Sequence, residues 1–383
     1  MWLSNFTIIL PDQVLENASL KIDGGLIAEI VPHPVAGGFD GTGLLALPGF
    51  IDMHGDMIEV EVEPRPGVDF PMANAIAHLD VRLASSGFTT AYAAISFCTN
   101  SFRGERRSRE HSTAIINALR AARQQCRIDH RIHGRFDVDF PQADEVLAEL
   151  IANAQIDLVS LMDHTPGQGQ YRDLERHVRK IAMQKGVSIE EAHVLVSDRV
   201  EQAGPESERL GKLKRFAHRA RKAGISLASH DDDSSRKVEI MAEFGAVISE
   251  FPTTIEAARA AAETGIFVAM GAPNAMRGIS YSGNLSAREA HAAGLLHILA
   301  SDYHPASALP AILALAQTDP DGLAGAVRLV SANPAQALGL EDRGALVPGR
   351  RADLALCQLG DTPRIVATLV AGQLAYSAGL VPH

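Results

Sequence analysis

Between residues 50 and 301, short apolar runs alternate with longer stretches of helical period, and this alternation limits the fold more than any other feature of the chain. The runs are Phe50 to Met53, Phe88 to Ile95, His130 to Val138, Ile156 to Met162, Ile225 to Ser229, Ala246 to Ser249, Ile266 to Met270 and His297 to Ser301. Continuous apolar runs mark strands covered on both faces, and parallel strands need a helical crossover between them. Helical stretches stand where crossovers are required, as in Pro141 to Asn153 with its acidic first turn, Ser234 to Phe244 before Gly245, and Ile255 to Thr264 before Gly265. Eight such units in about 250 residues predict an α/β fold, a (β/α)8 barrel of the TIM type. Residues 167 to 221 carry three helical pieces before the fifth strand, so a helical insertion is expected there, on the side of a barrel that shapes an active site.

The texture differs at the two ends. Thr7 to Leu10, Ser19 to Ile22 and Leu26 to Val31 are β-rich and separated by the turn signals Pro11-Asp12 and Gly24-Gly25; Ala352 to Leu359 and Ile365 to Tyr376 resemble them. Both termini are therefore expected to build one small β-sandwich domain, residues 1–47 plus 345–383, beside a barrel of residues 48–344. The alternation Ile58-Glu59-Val60-Glu61-Val62-Glu63 predicts a strand with one wet face.

Charge and composition exclude several classes. A net charge of -11 argues against a protein that coats nucleic acid, and the absence of a long uncharged apolar run argues against a membrane span. Three widely spaced cysteines in no C-x-x-C arrangement suggest no disulfide framework, and the N-terminal MWLSNFTIIL lacks a basic leader, so a cytoplasmic location is expected. A homo-oligomer is compatible with this reading. The basic run from Arg209 to Lys222 carries an apolar stripe at helical spacing and reads as a solvated helix face, whereas the arginines between Arg103 and Arg135 leave room for an anionic substrate.

Polar residues at the C-terminal ends of barrel strands face the catalytic mouth. Here the strands end in His54-Gly55-Asp56, Arg135 with Asp137, Asp163-His164, His230-Asp231-Asp232-Asp233, Glu250 and Asp302. This imidazole and carboxylate set suits one or two divalent ions, Zn first, with Mn or Fe also compatible, and a metal-bound water has its pKa lowered to about 7. His54 and Asp56, two apart on a strand, point to one face. Metal-assisted hydrolysis is the expected chemistry.

The segment from Leu47 to His54, LPGFIDMH, resembles the first barrel strand of the amidohydrolase superfamily, which typically reads P-G-x-I-D-x-H-x-H, with Asp56 here in place of the second histidine. DLVSLMDHTPG from Asp157, SLASHDDD from Ser226, ISEFPTT from Ile248, VAMGAPNAMRG from Val268 and ASDYHPASALP from Ala300 are similar to the PhnM-type diphosphatases of the carbon-phosphorus lyase pathway, and GALVPGRRADLAL from Gly344 is similar to the C-terminal segment shared across the amidohydrolases. That group usually reads H-T-D-N on the first strand, where this chain has His54-Gly55-Asp56-Met57.

The resemblance implies hydrolysis of a ribose 1-methylphosphonate 5-triphosphate, a sugar triphosphate, to the 5-phosphate and pyrophosphate. It implies metal ligation by His54, Asp56 and His230, with Glu250 and Asp137 as further ligands and Asp302 as both ligand and general base; His164 is a second candidate for proton transfer. Arg135, Arg277, Arg65 and Lys185 are the expected cationic contacts, and Ser229, Thr253 and Thr254 the neutral donors. No lysine ends the fourth strand, so no carbamylated bridging lysine is expected. Asp232 and Asp233 are expected to cap the helix that follows. Two alternatives stay open: cleavage of an amide or cyclic C-N bond on the same metal site, and a metal-free scaffold protein.

Overall fold

The computed structural model describes residues 1–65, 67–98, 107–280 and 283–379. Five strands open the chain: β1 (Trp2–Ile9), β2 (Val14–Asp23), β3 (Leu26–Val31), β4 (Phe39–Asp40) and β5 (Leu44–Pro48). Eight more form the barrel: β6 (Phe50–Gly55), β7 (Phe88–Phe97), β8 (Asp129–Asp137), β9 (Leu158–Met162), β10 (Ser226–His230), β11 (Ile248–Glu250), β12 (Phe267–Gly271) and β13 (Ile298–Ala300). The chain closes with β14 (Leu354–Gln358), β15 (Arg364–Val370) and β16 (Gln373–Ser377).

All eight apolar runs are strands, paired in parallel in sequence order from β6 to β13. The ring closes between β13 and β6 through the Gly55–Asp302 bridge, and the Asp52 carboxylate accepts the Ser301 N–H at 2.9 Å. Alternation along each strand sorts the side chains into two cores. Ile51, Met53, Leu158, Ala228, Ile248 and Ile298 fill the barrel, while Phe50, Phe88, Phe136 and Val159 face the surrounding helices.

The terminal strands form one hydrogen-bonded sheet in the order β16-β15-β14-β5-β1-β2-β3, with β4 on β1. Leu3, Phe6 and Leu20 from one arm and Leu354, Leu356 and Leu369 from the other share a single core, so a sandwich-like packing arises from one sheet rather than two. β5 leads into β6 through Gly49, where a Cβ would collide with Thr89 and whose N–H donates to Asp353 O at 2.8 Å.

The three helical pieces after β9 divide in two. Leu174–Lys185, capped by Asp173, and Ile189–Ala203, opened by a Ser188/Glu191 capping box, pack on each other around Val178, Ala182, Ala192 and Val196. Glu206–Lys222 instead buries Leu213, Phe216, Ala217 and Ala220 in the barrel's outer core, as the crossover helix to β10. Its Arg209 is not a solvated charge: it is buried, with Nε donating to Asp163 at 2.9 Å.

The Ile58 to Glu63 alternation is also not a strand. Ile58–Val62 forms a short helix, because Ile58 and Val62, four apart, fall on one face and are buried while Val60 is 40% exposed. Glu59 is buried and bonds Arg107 at 3.1 Å; Glu61 takes Arg82 at 2.8 Å. Among the described residues no helix is long and apolar enough to cross a membrane.

Candidate active site

The site is built on strand ends at one mouth of the barrel. On β8 the sequence His133-Gly134-Arg135-Phe136-Asp137 places His133, Arg135 and Asp137 on the inner face. Gly134 is required between them, since a Cβ there would collide with Ile156. Backbone bonds then fix the rim: Asp56 N–H to Asp302 O at 2.7 Å, Asp302 N–H to His54 O at 3.0 Å, and Asp231 N–H to Glu250 O at 2.9 Å. Asp231, Phe251 and Asp302 all carry φ between 52 and 54°, the left-handed region. Non-glycine residues there cost on the order of 1 kcal/mol or more, and such strain collects at functional sites.

Glu250 is the buried hub. His230 Nδ1 donates to its Oε2 at 3.0 Å, the Ser160 hydroxyl at 2.7 Å stands between the same oxygen and His133 Nε2, and His54 Nδ1 lies 3.4 Å from Oε1. His54 Nδ1 and Glu250 Oε1 are both buried and neither makes a hydrogen bond, an unusual expense for polar atoms in a protein interior. Donor atoms of His54, His230 and Glu250 lie within 4.8 Å of one another, as do those of His164, His230 and Asp231. Two ligand groups sharing His230 and holding orphaned polar atoms fit divalent cations.

Asp56 is held by Arg135, whose Nη1 donates to both carboxylate oxygens at 2.8 and 3.0 Å, while Nη2 lies 3.2 Å from His230 Nε2. Burial alone would raise the Asp56 carboxyl, but Arg135 and then His54 outweigh it and hold it well below the usual carboxylate range. His164 Nδ1 meets Asp137 at 2.6 Å and its Nε2 lies 3.6 Å from Asp231. Burial would lower this imidazole; the Asp137 carboxylate reverses that and raises it to about 9. Asp302 is pushed up to about 6 by burial, then by the neighbouring Asp56 charge.

Two cavities meet at this centre and share Asp56, Arg135 and Gln170. One, of about 250 Å³, has His54, His230 and Asp302 in its floor and Asn274, Arg277 and Asn284 in its walls. The other, of about 620 Å³, runs from His164 beneath the insertion helices and includes Lys185.

The sequence-based assignments therefore divide. His54, Asp56, Arg135, His230, Glu250, Asp302, Asp137 and His164 converge; Arg277 and Lys185 line different cavities. Ser229 and Thr253 do not face either cavity: the buried Ser229 hydroxyl bonds Asp232, and Thr253 Oγ1 reaches Asp232 O at 3.4 Å. Thr254 caps the helix Ile255–Glu263, and the exposed Arg65 lies outside both cavities. Neither Asp232 nor Asp233 caps Ser235–Phe244; Asp232 is buried against Ser229 and Ser249, and Asp233 accepts the Gly169 N–H at 2.7 Å. Arg103 and Glu105 lie outside the described residues. Asp231, Ser160 and His133 were not singled out from sequence. For His133 a signal existed, its period-two spacing from Arg135 and Asp137; Ser160 carried none.

The model of the amidohydrolase family matches residues 45–375. The chain is 37% identical over 376 residues to the alpha-D-ribose 1-methylphosphonate 5-triphosphate diphosphatase of Escherichia coli (strain K12), covering 94% of this chain and 96% of that protein. Among solved structures, 5-methylcytosine deaminase from Klebsiella pneumoniae superposes with a TM-score of 0.67 at 17% identity, over 100% of this chain and 98% of that one. Dihydropyrimidinase from Brevibacillus agri gives 0.65 at 14%, over 98% and 95%. Those two likenesses establish the fold alone. With a barrel closed at Gly55 and Asp302, a strand-end centre of imidazoles and carboxylates, and a match over most of its length, the chain belongs to the amidohydrolase family.

Proposed function

We propose that this protein is a metal-dependent diphosphatase that splits the anhydride between the α- and β-phosphates of a ribose 1-methylphosphonate 5-triphosphate. The observation that carries the reading is the meeting of two cation-bearing cavities at Asp56 and Arg135, so that an anionic substrate can extend to both sides of the reacting bond. Extended likeness to the Escherichia coli diphosphatase supports it.

His54, His230 and Glu250 would hold one divalent ion, and His164 with Asp231 would supply ligands to a second. Imidazole with carboxylate favours Zn, and Mn or Fe accept the same donors. A bound ion supplies charge neutralisation at phosphoryl oxygens and acidifies water.

The protein's own groups do the rest. Asp302, in the cavity floor beside His54 and Asp56, takes a proton from the attacking water. The water oxygen bonds to phosphorus, the bridging P–O bond breaks with its electron pair, and pyrophosphate leaves while the sugar keeps its 5-phosphate. Arg135, clamped by Asp56, presents positive charge to the phosphoryl oxygens, where positioning and charge neutralisation provide most of the catalysis. His164, whose Nδ1 is oriented by Asp137, would offer Nε2 to the second ion at the edge of the larger cavity. Among the described residues Cys98, Cys126 and Cys357 form no disulfide, in keeping with a cytoplasmic enzyme.

The test is zinc-reconstituted protein offered the ribose 5-triphosphate compound and, separately, an N-acyl and a cyclic amide. Pyrophosphate release is expected. Turnover of an amide without pyrophosphate release would replace this reading with C-N bond cleavage.

A further inference from the structure

The two cavities differ in charge, and the difference assigns the two ends of the substrate. Beyond the shared Arg135, the smaller one has one further Lys or Arg among its described lining residues, Arg277, set among Asn274, Asn284, Phe251 and Leu285. That combination matches a sugar with hydroxyl groups and one singly charged methylphosphonate ester. Beyond the shared Arg135 and Asp56, the larger one is lined by Arg107, Lys180, Lys185 and Arg199, with Asp198 as an acid. Lys180 lies 5.7 Å over the Tyr171 ring, and Arg199 reaches Asp139 only at 3.9 Å. Neither Lys180 nor Lys185 makes an ion pair with another described residue.

His177 provides a second, independent sign. It is 5% exposed, lines the same cavity, packs against Tyr171, and neither ring nitrogen has a hydrogen-bond partner. Buried polar atoms are nearly always satisfied, so an imidazole orphaned at both nitrogens in a cavity wall is short of a ligand. Burial first, and then the Arg199 and Lys180 charges, lower its pKa to about 4. A β,γ-diphosphate carries about three negative charges near neutrality and many acceptor oxygens.

We propose that the cavity beneath helices Leu174–Lys185 and Ile189–Ala203 is the diphosphate pocket. Lys180, Lys185 and Arg199 neutralise the departing pyrophosphate and His177 donates a hydrogen bond to it, while the methylphosphonate sugar lies in the smaller cavity against Arg277. The naming of the two ends rests on the diphosphatase reading.

Isothermal titration of the zinc-loaded full chain with inorganic pyrophosphate and with ribose 5-phosphate tests the assignment. Lys180→Ala, Lys185→Ala and Arg199→Ala are each expected to weaken pyrophosphate about tenfold, the loss typical of a charge-assisted hydrogen bond, and to leave ribose 5-phosphate within about twofold. Arg277→Ala is expected to do the reverse, and His177→Gln to weaken pyrophosphate alone. Unchanged pyrophosphate affinity in the three cation variants, an equal loss for both ligands, or a wild type that does not bind pyrophosphate would each overturn the pocket. If the wild type binds pyrophosphate through these cations yet releases none from the triphosphate, the pocket stands and the diphosphatase reading falls.

Discussion

Arg135 and Asp56 are locked together at the barrel mouth, with Nη1 of the arginine reaching both carboxylate oxygens at 2.8 and 3.0 Å. The sequence suggested Asp56 as a metal ligand in the place of a histidine. In the fold it holds a buried guanidinium between itself and His230, aiming a fixed positive charge at the reaction centre.

This pair yields the first prediction. Asp56→Asn keeps the shape but releases Arg135, so kcat/KM for the triphosphate should fall about 10- to 100-fold while bound metal stays near the wild-type level. Steady-state kinetics with elemental analysis of the same samples check both halves. Loss of metal in step with activity would return Asp56 to the ligand set.

Metal content should respond instead to the Glu250 hub. His230→Ala and Glu250→Gln each remove a donor whose neighbours are buried and orphaned, and metal affinity should drop by more than about 100-fold. Competition with a chelating dye measures it. Full affinity in both variants would mean that the ion sits elsewhere.

Asp302→Asn is isosteric and removes only basicity. Turnover should fall about 10²-fold or more with metal retained, since general-base help is worth that much. Near-normal turnover would pass the proton transfer to another group at the mouth.

The fourth prediction concerns stability away from the site. Asp129 accepts from Arg123, Arg131 and Arg343 at 2.8, 3.1 and 2.9 Å. Burial would raise its carboxyl, but the three arginines, Arg131 foremost, override this and bring it down to about 2. A folded-state value below the unfolded one contributes stability above the ordinary carboxylate range that is lost as pH falls from about 4 to about 2. Asp129→Asn should therefore cost about 2 kcal/mol at pH 7, and the gap should narrow below about pH 4. Urea unfolding of both proteins across pH 7 to 3 checks it; a gap that does not narrow would indicate a packing effect.

What the sequence determined by itself was periodic or local. Eight apolar runs specified the barrel because strands covered on both faces must be apolar, and polar strand ends located the mouth because only there can polar side chains leave the core. The convergence of His54, His230, Glu250 and Asp302 at that mouth was legible for the same reason. Partnership was decided only by tertiary structure. Arg209 read as surface charge until folding brought it to Asp163, 46 residues away; Asp56 read as a ligand, and only the fold shows that β8 delivers Arg135 to it from 79 residues on. The Ile58 to Glu63 alternation could serve a strand or a helix, and burial of Ile58 and Val62 with an ion pair from Glu59 to Arg107 chose the helix. Period and composition fix which face a side chain takes, but the energy of a buried charge depends on what meets it, and that is set by contacts between residues far apart in the chain.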